Sequence, residues 1–166
     1  MSPIKAIILD VDGVIVGEKI GFNSPYPNQS VIIKLGQLKK SGFYIFLCTA
    51  KPHYSVEKII KDANLDNFHI TQGGAVIIDS VNNKILKKNV IPTKDTLIVI
   101  QTYLDNNTYI ELYSLENYFI QSNQESHITK THSYILQRGP KKADSLMDLA
   151  KQEKLVKIMP IAKNEK

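Results

Sequence analysis

The amino-acid sequence predicts an α/β fold in which a parallel sheet covered by helices is followed by a smaller α+β portion. Continuous apolar runs at residues 4–9 and 43–48 are typical of buried parallel strands. Each run is followed by a segment whose apolar residues recur at helical spacing. After Pro92 the order changes to helix, strand and strand. Strands that alternate with helices need right-handed crossovers, which makes the first sheet parallel.

Length and composition place the chain among ordinary folded domains. It has 166 residues, of which 43% are hydrophobic and 22% charged. These values exclude a disordered tail, a collagen-like repeat and a coiled-coil rod. No run of eighteen apolar residues exists, so no membrane span is expected. With a single cysteine, Cys48, and no export signal, we expect a cytoplasmic protein without disulfides.

The charge pattern indicates a lysine-rich, solvated surface. The net charge is +5, almost all of it from lysines spread along the chain, and the only arginine is Arg138. Proteins that read nucleic-acid sequence favour arginine for bidentate contacts. We therefore interpret the lysines as a solvated surface that attracts anions, and expect neither a nucleic-acid nor a membrane partner.

The first half of the chain contains the clearest elements. The strand at residues 4–9 is predicted to be buried on both faces, and the Gly- and Pro-containing segment 17–28 to be a loop. Asn28 is predicted to cap a helix that Gly42 ends in the C′ position. The strand at residues 43–48 follows, with Cys48 in the core.

The next elements complete the predicted sheet. Ser55 is expected to open a second helix, which leads to a weaker strand around residues 68–71. After Gly73 and Gly74, apolar runs at 76–79 and 84–88 flank an Asn-Asn turn. This arrangement predicts a β-hairpin.

The second half is predicted to be α+β and to form a separate portion, which divides the chain into residues 1–89 and 90–166. Thr93 is expected to cap a helix that ends near residue 104. Tyrosine-rich strands are predicted at 109–113 and 118–121, with Tyr109, Tyr113 and Tyr118 in the core. A polar loop at 122–133, a helix at 143–152 and a strand at 156–161 complete it.

Two carboxylates directly follow the first strand, in the sequence Asp10-Val11-Asp12-Gly13. In open α/β sheets, sites lie beyond the carboxyl ends of the strands. One such carboxylate can attack phosphorus, and the other can move a proton to or from the reacting oxygens. Both offer oxygen ligands to Mg²⁺, and Gly13 lets the backbone turn sharply. The alternative is an ordinary Asp-Gly turn.

A second polar group follows the second strand, in the sequence Thr49-Ala50-Lys51. The Thr49 hydroxyl and the next backbone N–H groups are suited to hold a phosphoryl oxygen. The alternative is a threonine that makes only a local turn bond. The four histidines show no metal-ligand spacing, and we expect them to lie on the surface or to be hydrogen-bonded structural residues.

Three stretches carry a resemblance to a known family. They are Ile7-Ile8-Leu9-Asp10-Val11-Asp12-Gly13-Val14, Phe46-Leu47-Cys48-Thr49-Ala50-Lys51 and Gln72-Gly73-Gly74-Ala75-Val76-Ile77-Ile78-Asp79. The chain resembles the haloacid dehalogenase superfamily of phosphohydrolases, in its Cof-type branch. The likeness covers residues 4–89 well, whereas residues 93–161 match the family's cap in element order only.

The resemblance implies a Rossmann-like core with a partial α+β cap. It also implies Mg²⁺-dependent hydrolysis of a small, sugar-phosphate-like organic phosphate through an aspartyl-phosphate. Asp10 would be the nucleophile and a metal ligand. Asp12 would be the general acid/base and a second metal ligand, through its backbone carbonyl. The residues expected to bind substrate are Thr49, Ala50, Lys51, Gly13 and Gly74.

The sequence departs from the family pattern in three ways. The usual Thr-Gly-Arg is here Thr49-Ala50-Lys51, and Gly73 stands where the family has an asparagine. Nothing resembles the family's late Gly-Asp-x-x-Asn-Asp motif or the lysine that precedes it, although Lys141 or Lys142 is a weak alternative for that lysine. The chain is therefore expected to stop within the cap.

Two alternative functions remain open at this point. A receiver-type signalling domain also gathers acids, a threonine and a lysine at strand ends, but its phospho-accepting aspartate ends the third strand. No aspartate ends the third strand here. The other alternative is a truncated or catalytically incomplete homologue with a binding role or no independent role. The segment between Gly13 and Pro27 would be a flap over the site.

Overall fold

The structure is a computed structural model that describes residues 5–161. Ile4, where the first strand is predicted to begin, lies outside the described residues. The chain divides into two compact units, one ending at Lys88 and the other beginning at Asn89. Each unit is described by itself.

The first unit is built on a sheet with parallel neighbours, as predicted. Strand β1 (Ala6–Leu9) pairs in parallel with β2 (Tyr44–Leu47), with Leu9 opposite Leu47. A parallel bridge between Cys48 and Ile70 joins β2 to β3 (Phe68–Thr71). The predicted hairpin is formed by β4 (Val76–Asp79) and β5 (Lys84–Lys88), and β4 pairs antiparallel with β3.

Two helices connect these strands. In α1 (Gln29–Lys40) the Asn28 side chain accepts a hydrogen bond from the Ser30 N–H at 3.0 Å, which confirms the predicted cap. Gly42 follows the helix with φ of +89°, as a C′ glycine should. Helix α2 (Glu57–Asp62) begins later than predicted. Ser55 lies in a short 3-10 turn, and Val56 precedes the helix without a side-chain cap, so the predicted role of Ser55 is wrong.

The two faces of this sheet differ. Ile45 and Leu47 are fully buried on one face, whereas on the other Ile8 is 66% exposed and Tyr44 and Phe68 are also exposed. The prediction that the first strand is buried on both faces is therefore wrong. Cys48 is exposed, so its predicted place in the core is also wrong. An apolar run indicates that a strand can be buried. Which of its two faces is buried depends on the elements that pack on the sheet.

A buried histidine joins β2 to β3. The backbone N–H of Leu47 donates to His69 Nδ1 at 3.1 Å, and His69 Nε2 lies 2.9 Å from the Leu65 carbonyl. Because Nδ1 accepts, Nε2 carries the proton and the ring is neutral. Burial lowers the pKa of His69. This histidine is structural, as predicted.

The second unit is an α+β layer around four strands. Its elements are α3 (Thr93–Asp105), β6 (Tyr109–Ser114), β7 (Tyr118–Gln121), α4 (His127–Leu136), β8 (Lys141–Ala143), α5 (Leu146–Gln152) and β9 (Leu155–Ile161). The strands are ordered β8-β7-β6-β9, and all neighbours are antiparallel except β7 and β8. A core that includes Ile100, Ile110 and Leu146 packs helices α3 and α5 on this sheet.

Three boundaries in this unit differ from the prediction. The prediction of a loop at 122–133 is wrong, because residues 127–136 form α4. A reciprocal pair of hydrogen bonds between Ser126 and Thr129 caps the start of this helix. Residues 141–143 form β8, so α5 starts later and is capped by Ser145. Thr93 is the first residue of α3 and not its cap. In α4 polar residues outnumber apolar ones, which hid its helical spacing.

Buried tyrosines and one carboxylate lie in the sheet of this unit. Tyr113 and Tyr118 are buried and stack with ring centroids 5.4 Å apart, which confirms their predicted core position. Glu111 is fully buried. Its Oε2 accepts from the Tyr113 hydroxyl at 2.5 Å, and its Oε1 lies 3.2 Å from His132 Nδ1. Among the described residues, no helix is long and apolar enough to cross a membrane.

Candidate active site

The loops that follow β1 and β2 begin side by side. The backbone N–H of Cys48 donates to the carbonyl of Leu9 at 2.8 Å. These residues immediately precede Thr49 and Asp10, so the last hydrogen bond between the strands brings the two loops together. The first two strands of the chain are therefore neighbours in the sheet.

The loop after β3 is tied to the loop after β2. The Gly73 N–H donates to the Thr49 carbonyl at 3.0 Å, and the Gln72 N–H donates to the Lys51 carbonyl at 2.9 Å. Gly74, predicted to bind substrate, ends the same short turn. Gln72 is buried and adopts a φ of +55°, which is uncommon for a residue with a side chain. The sequence did not single out Gln72, since no local pattern signals that conformation.

The loop after β1 folds back on itself. Asp10 Oδ1 accepts a hydrogen bond from the next backbone N–H, that of Val11, at 2.6 Å. Gly13 adopts a φ of +76°, and its N–H donates to the Val16 carbonyl at 2.8 Å. Any side chain at Gly13 would strain this turn. The carboxylates of Asp10 and Asp12 are both exposed, so solvent and ligands can reach them.

Thr49 is buried, and its hydroxyl makes a local bond. Its Oγ1 accepts from the Lys51 N–H at 3.1 Å, which is the turn contact that the sequence left as an alternative. A hydroxyl that accepts one bond can still donate its own proton. The bond holds Oγ1 beside the Lys51 N–H and leaves the hydroxyl proton able to donate to another group.

Lys51 connects the two loops through its side chain. Its Nζ lies 3.1 Å from Asp12 Oδ1; the lysine side chain is 4% exposed and that of Asp12 53%. The sequence predicts that Lys51 contacts substrate. The structure gives its ammonium a protein carboxylate as partner, a contact between loops that sequence spacing does not reveal.

Asp10 and Asp12 are the residues at this edge that suit a divalent metal. Carboxylate and carbonyl oxygens are the ligands that Mg²⁺ prefers, and it is often bound through one or two carboxylates together with substrate phosphate and water. Their chemistry therefore fits Mg²⁺. Within residues 5–161, no three His, Cys, Asp or Glu side chains come together to hold a metal ion.

The sequence matches the family model described as haloacid dehalogenase-like hydrolase over residues 7–166. A search of curated protein sequences finds no significant match. The family match covers both units of the chain. This match does not agree with the alternative that the chain is a receiver-type signalling domain.

Solved structures share this fold at low sequence identity. A sugar phosphatase of haloacid dehalogenase subclass IIB superposes with a TM-score of 0.76 at 19% identity, covering 94% of this chain and 58% of that protein. A protein from Plasmodium vivax, described as a HAD/COF-like hydrolase, superposes with a TM-score of 0.78 at 13% sequence identity. The match covers 96% of this chain and 57% of that protein. A phosphatase from Bacteroides thetaiotaomicron superposes with a TM-score of 0.68 at 20% sequence identity. The match covers 92% of this chain and 53% of that protein. The chain thus spans little more than half the length of these proteins.

Proposed function

Since the chain belongs to the haloacid dehalogenase-like hydrolases, we propose that it hydrolyses a phosphate monoester through an aspartyl-phosphate. The observation that carries the proposal is the 2.8 Å bond from Cys48 N to Leu9 O, which starts the Asp10 and Thr49 loops as neighbours. A nucleophile and a phosphate-holding hydroxyl are needed together at one sheet edge, and this bond supports that arrangement.

In the proposed reaction Asp10 is the nucleophile. A carboxylate oxygen of Asp10 forms a bond to phosphorus while the ester P–O bond breaks, and Asp12 gives a proton to the leaving oxygen. Asp12 then takes a proton from a water molecule, whose oxygen attacks phosphorus. The P–O bond to Asp10 breaks, which releases inorganic phosphate and restores the carboxylate.

The remaining residues hold the phosphoryl group. The Thr49 hydroxyl donates to a phosphoryl oxygen, and the backbone N–H groups of Ala50 and Gly74 are proposed to line the same space. The Gly13 N–H is engaged with the Val16 carbonyl, so Gly13 is proposed to act by letting the backbone turn beside the phosphate. The Asp10 carboxylate and the Asp12 backbone carbonyl would hold Mg²⁺. When bound, Mg²⁺ neutralises phosphate charge during the reaction.

The proposed substrate is a small, sugar-phosphate-like organic phosphate. One structural neighbour is described as a sugar phosphatase, and the net charge of +5 would attract a phosphate anion. We propose the unit that begins at Asn89 as part of a cap domain. We propose the cytoplasm as the compartment, on the composition of the sequence.

The proposal is tested by assaying the purified protein against a set of sugar phosphates and an aryl phosphate, with Mg²⁺ and with EDTA. We expect hydrolysis that requires Mg²⁺ and disappears in Asp10→Asn. Hydrolysis that survives both EDTA and Asp10→Asn would contradict the proposal, since a different group would then act on phosphorus.

A second candidate is a homologue that binds phosphate esters but turns them over poorly. It is favoured by the metal-site chemistry, because Asp10 and Asp12 supply two protein ligands within the described residues and few carboxylates mean weak Mg²⁺ binding. Calorimetric binding of a phosphate ester without measurable hydrolysis would favour this candidate.

A further inference from the structure

We infer that Lys51 is a positioning residue that holds the Asp12 carboxylate, and not a contact to the substrate phosphate. The inference rests on the proposed function, in which Asp12 moves the proton. It concerns a residue whose type differs from the arginine expected at this place in the family pattern.

The first support is burial. Lys51 Nζ is enclosed and lies 3.1 Å from Asp12 Oδ1, its ion-pair partner. A buried ammonium is costly unless a carboxylate compensates it. A phosphoryl oxygen could touch this ammonium only after the surrounding atoms moved. The charge of Lys51 therefore acts on Asp12.

The second support is the way that the backbone of Lys51 is fixed. Its N–H donates to Thr49 Oγ1 at 3.1 Å, and its carbonyl accepts from the Gln72 N–H at 2.9 Å. These bonds tie Lys51 to the loops after β2 and β3, while its side chain reaches the loop after β1. Lys51 is thus a rigid link across three strand ends.

The third support is the state of Asp12. Its side chain is half exposed, and a half-exposed carboxylate without a partner samples several rotamers. Pairing with a fixed ammonium selects one of them. Misplacing a catalytic group by about 1 Å can cost about 100-fold in rate, so holding Asp12 in one orientation serves the proton-transfer step.

The two possible roles of Lys51 predict different kinetics. Removing a group that acts only on the proton-transfer step lowers kcat and leaves KM unchanged, whereas removing a contact to substrate raises KM. For Lys51→Met we expect kcat to fall about 10- to 100-fold, with KM and the Kd for inorganic phosphate within about twofold of wild type. Lys51→Arg, which keeps the charge, should recover part of kcat.

Lys39→Met is the matched control, because Lys39 forms an ion pair with Asp66 at 2.7 Å away from the three strand ends. We expect it to leave kcat, KM and phosphate binding unchanged. A large rise in KM and in the Kd for phosphate in Lys51→Met, with kcat unchanged, would overturn the inference.

A measurement that does not depend on catalysis tests this inference separately from the proposed function. A buried, paired ammonium exchanges its protons slowly, so ¹H–¹⁵N NMR of lysine side chains should show a signal that is absent in Lys51→Met. In Asp12→Asn that signal should broaden or shift, even if the protein hydrolyses nothing. A Lys51 signal that is absent in wild type or unchanged in Asp12→Asn would overturn the inference whatever the activity.

Discussion

The backbone N–H of Cys48 donates to the carbonyl of Leu9 at 2.8 Å, at the point where β1 and β2 end. Asp10 follows Leu9 and Thr49 follows Cys48, so the two polar residues come directly after the two bonded residues. One main-chain bond therefore brings together two motifs that lie far apart in the sequence. The chemistry proposed for this edge depends on it.

The first prediction concerns Asp12. Asp12→Asn should slow hydrolysis of a phosphate ester by about 100-fold or more, the usual scale of general acid–base catalysis. The effect on kcat/KM, which reports the first phosphoryl transfer, should be smaller for an aryl phosphate, whose leaving oxygen needs less protonation. Steady-state kinetics with an alkyl and an aryl phosphate test this. Equal rates for wild type and Asp12→Asn with the alkyl ester would contradict the proposed role.

The second prediction concerns Glu111, which is fully buried beside Tyr113 and His132. Glu111→Ala should lower the free energy of unfolding by about 3–5 kcal/mol, because it removes one partner of a buried polar cluster. Urea denaturation measures this.

The matched control for Glu111 is Glu125→Ala. Glu125 pairs with Lys142 at 2.5 Å, but both side chains are largely exposed, so the loss should stay within about 1 kcal/mol. Equal losses for the two variants would mean that the Glu111 cluster contributes no more than a surface pair.

The third prediction is a pH dependence from His69. Burial lowers the pKa of His69 in the folded protein, so below the unfolded value of about 6.5 the unfolded state binds the extra proton more readily. Stability is therefore full above about pH 7 and falls as the pH drops through about 6.5 towards the folded pKa.

Urea midpoints between pH 8 and pH 5 test the role of His69, with His69→Gln as the comparison. The variant should be less stable at pH 8 but should lose less stability on acidification. The carboxylates whose pKa is lowered, such as Asp79 through its bonds from Asn82, lose their contribution only near and below their own unfolded values, at more acidic pH. Parallel pH profiles for wild type and His69→Gln would contradict the assignment.

The fourth prediction concerns the metal. With Asp10 and Asp12 as the protein ligands among the described residues, the protein should bind Mg²⁺ weakly and turn over a phosphate ester slowly. Calorimetry and assays with Mg²⁺, with EDTA as control, measure this. Turnover of about 1 s⁻¹ or more would contradict it.

The sequence predicted most of the first unit, because its strands are continuous apolar runs and its helix α1 has a clear cap at Asn28 and a clear end at Gly42. Such signals are local, so they can be read without the fold. The exposure of Ile8 and Cys48 was not predictable, since it depends on what packs on the sheet.

Two further features escaped prediction for related reasons. Helix α4 has a capping box at Ser126 and Thr129, but its polar residues made the segment resemble a loop. At the candidate site the positions of Asp10, Asp12 and Thr49 followed from strand order. The pairing of Lys51 with Asp12 did not, because it joins side chains of two loops whose conformations are set by long-range hydrogen bonds.

The most direct test of the account is to locate the covalent intermediate. An aryl phosphate reacts with Asp10 without much help from an acid, whereas hydrolysis of the intermediate needs Asp12 as base, so Asp12→Asn should accumulate the phosphorylated protein. Acid quenching, proteolysis and mass spectrometry should then find one phosphoryl group, carried by Asp10 and absent when Asp10→Asn is added. A phosphoryl group on another residue, or hydrolysis that persists in Asp10→Asn, would contradict the account.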